Sequence, residues 1–242
     1  MSEFWHSFNP SMSGALFMWV LAFTAAFMVA ISTERLCYII GKSNINSYKF
    51  MALIRKYILE REYKKAVQLC RSFHATPLPW YLYILFPILI IVNIFRPLKY
   101  FPALPEVVLT GIIKAAKMKK PSFRAVQNAV DEGTLEVIPK LQSRIGYLNM
   151  IGNVATLIGL MGTIFGLIIA FRSVSAPGID AAEKSRLLAH GIAVAMNTTL
   201  FGLAVAIPSI ISYTYLHNKT NHLIDEIDEH TVKLINLMTE EE

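Results

Sequence analysis

The 242-residue chain is short of charge. Asp, Glu, Lys and Arg make up 17% of it, against about 25% in an average soluble domain. Two long stretches, 145–171 and 187–218, contain none of the four, and no Lys or Arg precedes residue 35. With 54% hydrophobic residues, these gaps exclude an ordinary soluble domain and equally a disordered or collagen-like chain. Cysteine is scarce: Cys37 and Cys70 suggest neither a disulfide framework nor a metal-ligand spacing. The sequence has no nucleophile elbow, phosphate loop or His/Cys/carboxylate cluster. It therefore points to no metal, no cofactor and no enzymatic chemistry.

What is present is membrane-length apolar sequence. A transmembrane helix needs about 20 mostly apolar residues. Gly14–Ser32 supplies 19 without a charge, Ile145–Phe171 supplies 27 and Leu187–Asn218 supplies 32. The expected spans are 14–33, 147–171 and 191–216. Residues 1–13 lack the basic start of a signal peptide, and the run after them is long for one, so the first span reads as retained. Nine basic residues lie in 34–79 and nine more in 96–146. The positive-inside rule then places 1–13 outside, 34–146 in the cytoplasm, 172–190 in an external loop and the tail 217–242 inside. The formal charge of +6 thus comes from the 34–146 segment, with 18 basic and 7 acidic groups, and marks a cytoplasmic face rather than a nucleic-acid site. Trp80–Phe95 is uncharged but only 16 residues long, with Pro87 in its middle. A fourth span would put one of the two basic blocks outside. A re-entrant or interfacial segment within an apolar insert, 80–104, is the preferred reading, and a fourth span stays open.

The cytoplasmic parts read as helical. Phe50, Ile54 and Ile58 fall at helical spacing within 44–73, and Pro105–Lys120 forms a second piece. Ser122 is placed to cap a third helix, whose stripe Val126, Val130, Val137, Leu141 and Leu148 runs straight into the second span. The tail repeats the pattern with Leu216, Leu223, Ile227, Leu234 and Met238 near heptad spacing. The fold class expected is an all-α integral membrane protein whose spans extend into long cytoplasmic helices.

The second and third spans carry polar and small residues in rows. Gly152, Gly159 and Gly166 recur every seven residues, as do Asn149, Thr156 and Thr163, so the two rows lie on neighbouring faces. Gly162 adds to the glycine row. In the third span Ala195, Thr199, Gly202, Ala206 and Ser209 share a face, Asn197 and Thr198 thicken the polar patch, and Pro208 is placed to bend the helix. Two readings stand side by side. Small residues let helices pack closely, with hydroxyls and amides bonding across them; alternatively, the hydroxyls line a hydrated path. Either needs several helices around one axis, hence an oligomer. Proton relays within membranes usually need an ionisable group, and these spans have no carboxylate. If protons pass here, a partner has to supply the titrating group.

The runs TLIGLMGTIFGLIIAF (156–171) and GIAVAMNTTLFGLAVAIPSIISY (191–213), with Glu34-Arg35 after the first span and AVQLCR at 66–71, resemble the MotA/TolQ/ExbB proton-channel family, its ExbB/TolQ branch most closely. The resemblance implies a homopentamer around a central pore in the bacterial inner membrane. It further implies as partners a dimer of ExbD/TolR-type single-span proteins with a membrane aspartate, an energy transducer similar to TonB or TolA, and membrane lipid. Two pore threonines of the family align with Thr163 and Thr199, which the resemblance makes hydrogen-bond partners of that aspartate. Thr198 and Asn197 become their neighbours and Thr156 a packing or water-binding residue, with Gly152, Gly159, Gly162, Gly166, Gly202, Ala206 and Pro208 as helix-packing positions. Val194 stands where many members have a glutamate. The implied function is a proton-driven stator subunit doing mechanical work across the envelope. The alternatives are a non-conducting membrane scaffold that docks partners, or a transporter or membrane enzyme; the last would ordinarily need a charged residue at mid-membrane depth.

Overall fold

The computed structural model describes residues 8, 14–43, 46–72, 102–117, 122–175, 177–178 and 180–239. Seven helices run in chain order: α1 (Ala15–Ser43), α2 (Ser47–Leu59), α3 (Tyr63–Ser72), α4 (Ala103–Ala116), α5 (Phe123–Gln142), α6 (Ile145–Ser175) and α7 (Ala181–Thr239). Among the described residues there is no strand. Three helical stretches are long and apolar enough to cross a membrane, carried by α1, by α5 with α6, and by α7. The expected segment 80–104 lies outside the described residues except for 102–104, where Ala103 and Leu104 open α4.

The chain divides into two compact units. One comprises Thr33–Ser143 and Tyr215–Glu242. Its core takes Phe50, Ile54 and Ile58 from α2, Ala66 and Cys70 from α3, Val107, Val108 and Ile112 from α4, Val126, Val130, Val137 and Leu141 from α5, and Ile227, Leu234 and Met238 from α7. The stripes apparent in the sequence are thus the buried faces. Three local expectations differ. The 44–73 region is two helices, because the chain turns at Glu60–Glu62 with Arg61 in the left-handed region (φ 55°). Asn46 caps α2 by accepting a hydrogen bond from the Lys49 amide at 3.1 Å. Ser122 occupies the N-cap position of α5 with extended backbone, but its side chain makes no capping bond. Nor does α5 run straight into α6: Ser143 and Arg144 form a turn, with Arg144 at φ 64°. The Ser143 amide bonds back to Pro139, whose ring already removes one donor from the last turn of α5.

An ion-pair cluster lies in this unit. Lys42, 7% exposed, donates to Glu106 at 2.6 Å, and Lys42 and Arg35 both lie near the Tyr38 ring, at 5.9 and 5.1 Å from its centroid. Arg35 also donates to the Lys140 carbonyl and to Glu34. The cluster joins α1 to α4 and α5.

The other unit comprises Met1–Ser32 and Arg144–Thr214, so it holds the first half of α1, all of α6 and the first half of α7. Its outer faces are apolar: Leu16, Phe23 and Phe27 on α1, Leu157, Leu160 and Ile164 on α6, and Met196, Leu200 and Ile207 on α7 are all exposed. That is the inverse of a soluble bundle and suits hydrocarbon surroundings.

Candidate functional site

The centre of the membrane-type unit is the contact between α6 and α7. A Cβ built on Gly159 would meet Gly202 Cα and the Thr198 carbonyl at 3.3 Å each; one on Gly202 would meet the Ala155 carbonyl at 2.8 Å and Gly159 Cα at 3.0 Å. Further along, Gly152 faces Ala206 and Ile210, Gly162 faces Thr198, Gly166 faces Ala195 and Gly191 faces Ala170. Partner numbers fall on one helix as they rise on the other, so the pair is antiparallel. Backbone touches backbone, because only residues without large side chains permit it.

The glycines of α6 and the small residues of α7 therefore converge on one seam. Gly152, Gly159, Gly162, Gly166, Gly202 and Ala206 are all buried in it, whereas Pro208 is exposed on α7. Two hydroxyls work across the seam. Ser209 donates to the Leu148 carbonyl at 2.6 Å, and Thr199 to the Gly159 carbonyl at 3.3 Å. Thr198 is fully buried, donates to the Ala195 carbonyl at 2.8 Å, and would collide with a Cβ on Gly162. It is a seam residue, and α7 follows the register 191, 195, 198, 202, 206 and 209. Thr198 stands one heptad after Gly191, within a row of small residues spaced three or four apart.

The remaining threonines flank the seam on one side. At about 100° per residue, Thr163 and Thr156 stand roughly 40° and 60° from Gly159 around α6, while Phe165 lies roughly 120° the other way. On α7, Thr199 stands roughly 60° from Gly202, while Val194 and Phe201 lie roughly 80–100° the other way. Because the helices are antiparallel, these offsets fall on matching sides of the pair. The aromatic side is the one covered by α1 and the residues before it: Phe17 packs on Phe165 with centroids 5.3 Å apart, Val194 lies against Gly14, and Phe201 meets Phe8 at 5.7 Å. Thr156, Thr163 and Thr199 thus line the side of the helix pair turned away from α1. Asn197 is half-buried on α7, roughly 140° from Gly202 and away from this side. Val194 is 9% exposed against Gly14.

Thr163 donates to the Leu160 carbonyl at 2.6 Å and Thr156 to Gly152 at 3.0 Å. Each hydroxyl donates to a carbonyl within its helix or across the seam and keeps lone pairs free to accept. A protonated carboxylic acid entering this side would find acceptors. A carboxylate would find donors after a hydroxyl rotation. None of these groups can itself take up or release a proton near neutral pH. Among the described residues no group of three or more His, Cys, Asp or Glu could hold a metal ion.

The described residues thus form helices of membrane length, with a glycine seam and a row of uncharged hydroxyls beside it. Comparison with known proteins gives the family: residues 104–229 match the model of the MotA/TolQ/ExbB proton channel family, and the chain belongs to that family. It is similar to the putative biopolymer transport protein ExbB homolog of Methanothermobacter thermautotrophicus, 34% identical over 53% of this chain and 42% of the relative. It is also similar to the biopolymer transport protein exbB1 of Vibrio cholerae, 34% identical over 42% of this chain and 43% of the relative. The Tol-Pal system protein TolQ of Haemophilus influenzae is 29% identical over 55% of this chain and 53% of its own length. The chain thus spans about half the length or less of these relatives. The match covers both helices of the seam and the hydroxyl row.

Proposed function

We propose that this chain is the stator subunit of an inner-membrane motor of the ExbB–ExbD or TolQ–TolR type, which couples proton flow to mechanical work across the envelope. Five copies surround a central pore that holds a dimer of single-span partners, and an energy transducer similar to TonB or TolA takes up the motion. The N-terminus and residues 172–190 face outward, and residues 34–146 and the tail 217–242 lie in the cytoplasm. The observation that carries this reading is the threonine row: Thr156, Thr163 and Thr199 stand on the side of the α6–α7 pair away from α1, within stretches that contain no Asp, Glu, Lys or Arg. Hydrogen-bonding capacity without an ionisable group suits a wall that receives a partner's carboxyl group. Thr163 and Thr199 are its hydrogen-bond partners in this proposal, with Thr156 binding water beside them. Thr198 acts indirectly, by holding the seam against Gly162.

The test is proton flux into proteoliposomes containing this chain with its single-span partner. Thr199→Val keeps the side-chain shape and removes the hydroxyl. Its single seam bond is long (3.3 Å), so stability should fall by less than about 1 kcal/mol, while flux should drop at least about tenfold. Flux that survives both Thr199→Val and removal of the partner's membrane carboxylate would refute the proposal in favour of a non-conducting scaffold.

A further inference from the structure

A second polar site lies far along the chain from the threonine row, within the unit formed by Thr33–Ser143 and Tyr215–Glu242. An open pocket of about 500 Å³ lies between α2 and the last turns of α7. Met51 and Leu237 supply apolar wall, Arg55 and Lys233 supply cations, and Tyr48 and His230 complete the lining. His230 is the anomaly. It is 2% exposed, and neither ring nitrogen has a hydrogen-bond partner. A buried imidazole left in that state forfeits about 1–3 kcal/mol, and native structures rarely leave such groups unpaired without a use for them.

The surroundings indicate what would satisfy it. Both ring nitrogens are buried, so a ligand reaches them only when a lining side chain moves; Tyr48, edge-on to the His230 ring at 5.5 Å and 69% exposed, has room to do so. The polar groups around the pocket are mainly donors: the Arg55 guanidinium, the Lys233 ammonium, the Tyr48 hydroxyl and the amide of Asn236, whose carbonyl can also accept. Lys233 is paired with Glu229 one turn back on α7, which leaves Arg55 as the principal cation. Burial pushes the His230 pKa below the ordinary histidine range, with Glu229 opposing that shift, Lys233 adding to it and Glu226 opposing it. The ring therefore meets a ligand as a neutral imidazole with one N–H to donate. A donor-lined mouth over an apolar wall, of a size that admits a small metabolite, selects an acceptor-rich anion with an apolar body.

We infer that the pocket formed by α2 and the end of α7 binds a small organic anion bearing a phosphate or carboxylate group, with the oxyanion on Arg55 and His230 and the apolar body on Met51 and Leu237. This site is separate from the threonine row and does not depend on the proposed motor role.

The experiment uses the 242-residue chain in detergent micelles at pH 7.5 and constant ionic strength, titrated with phenyl phosphate, inorganic phosphate and benzyl alcohol while thermal unfolding is followed. Phenyl phosphate should raise the midpoint saturably, with a half-point several-fold below that of inorganic phosphate, and benzyl alcohol should have no saturable effect. Arg55 is exposed, so Arg55→Ala should fold normally and move the phenyl phosphate half-point upward at least about tenfold. His230→Phe keeps the ring against Tyr48 and should weaken binding similarly. A shift that does not saturate, one that benzyl alcohol reproduces, or one that Arg55→Ala leaves unchanged would overturn the inference.

Discussion

Replacing Gly202 with alanine tests whether backbone contact, rather than side-chain packing, sets the α6–α7 seam. The new Cβ would sit 2.8 Å from the Ala155 carbonyl oxygen and 3.0 Å from Gly159 Cα. Both neighbours are backbone, so no rotamer change relieves the collision and the helices must separate. Overpacking of this kind costs about 1–3 kcal/mol. Alanine also favours helix over glycine by up to about 1 kcal/mol, which would mask part of the loss if Gly202→Ala were measured alone. Gly146→Ala provides the control: it makes the same chemical change in α6, where a Cβ meets nothing within 4 Å. The difference between the two variants isolates the seam and should reach about 1–3 kcal/mol. Gly159→Ala, whose nearest contacts are at 3.3–3.4 Å, should fall between them. Gly152→Ala should be milder than Gly202→Ala, since its closest contact is the movable Ile210 side chain at 2.7 Å. Denaturant titration in mild detergent, followed by helical circular dichroism, measures the series. Equal stability of Gly202→Ala and Gly146→Ala would refute the backbone-contact account.

Other substitutions probe single interactions. Ser209→Ala removes the buried hydroxyl that bridges to Leu148 and should cost about 1 kcal/mol in the same titration. Glu106→Ala leaves Lys42 buried without its carboxylate and should cost about 2–4 kcal/mol, more than Lys42→Met, which removes the buried charge and leaves only the partly exposed Glu106 behind. His230 supplies a pH dependence with a definite sign. Because burial lowers its folded pKa, the unfolded chain takes up the proton first as pH falls below about 6.5. Its contribution is therefore complete above about pH 6.5 and is lost progressively as pH falls toward the lowered folded value. Denaturation between pH 7.5 and 5.5 should show this slope in the wild-type chain and a shallower one in His230→Phe.

Several features of the molecule were legible in the sequence because they depend only on periodicity and composition. The chargeless stretches marked the membrane-length helices, since few backbone arrangements other than helix satisfy so many peptide groups in hydrocarbon. The stripe Leu216, Leu223, Ile227, Leu234 and Met238 is buried throughout, because a 3.6-residue repeat puts such positions on one face whatever they pack against. The glycine rows pointed to close packing, since glycine in a helix interior is costly unless space demands it. Breaks in the helices were harder to foresee. Arg61 and Arg144 adopt positive φ, a conformation that sequence signals ordinarily reserve for glycine or asparagine.

Position relative to neighbours was beyond the sequence. Thr198 and Thr199 are adjacent and chemically identical, and both looked like pore candidates. Only the pairing of α6 with α7 buries Thr198 against Gly162 and leaves Thr199 half-buried beside Gly159. Likewise the side of the pair that α1 covers is settled by contacts between residues far apart in sequence, Phe17 with Phe165 and Gly14 with Val194. His230 offered no sequence signal at all: its unpaired nitrogens and the pocket beside it exist only because α7 returns to pack on α2. The sequence by itself determined which residues are apolar, small or charged on each helix, and therefore the membrane character and the family. Tertiary structure alone decided which face of each helix meets which neighbour, because that choice rests on the fit of whole surfaces and not on any local repeat.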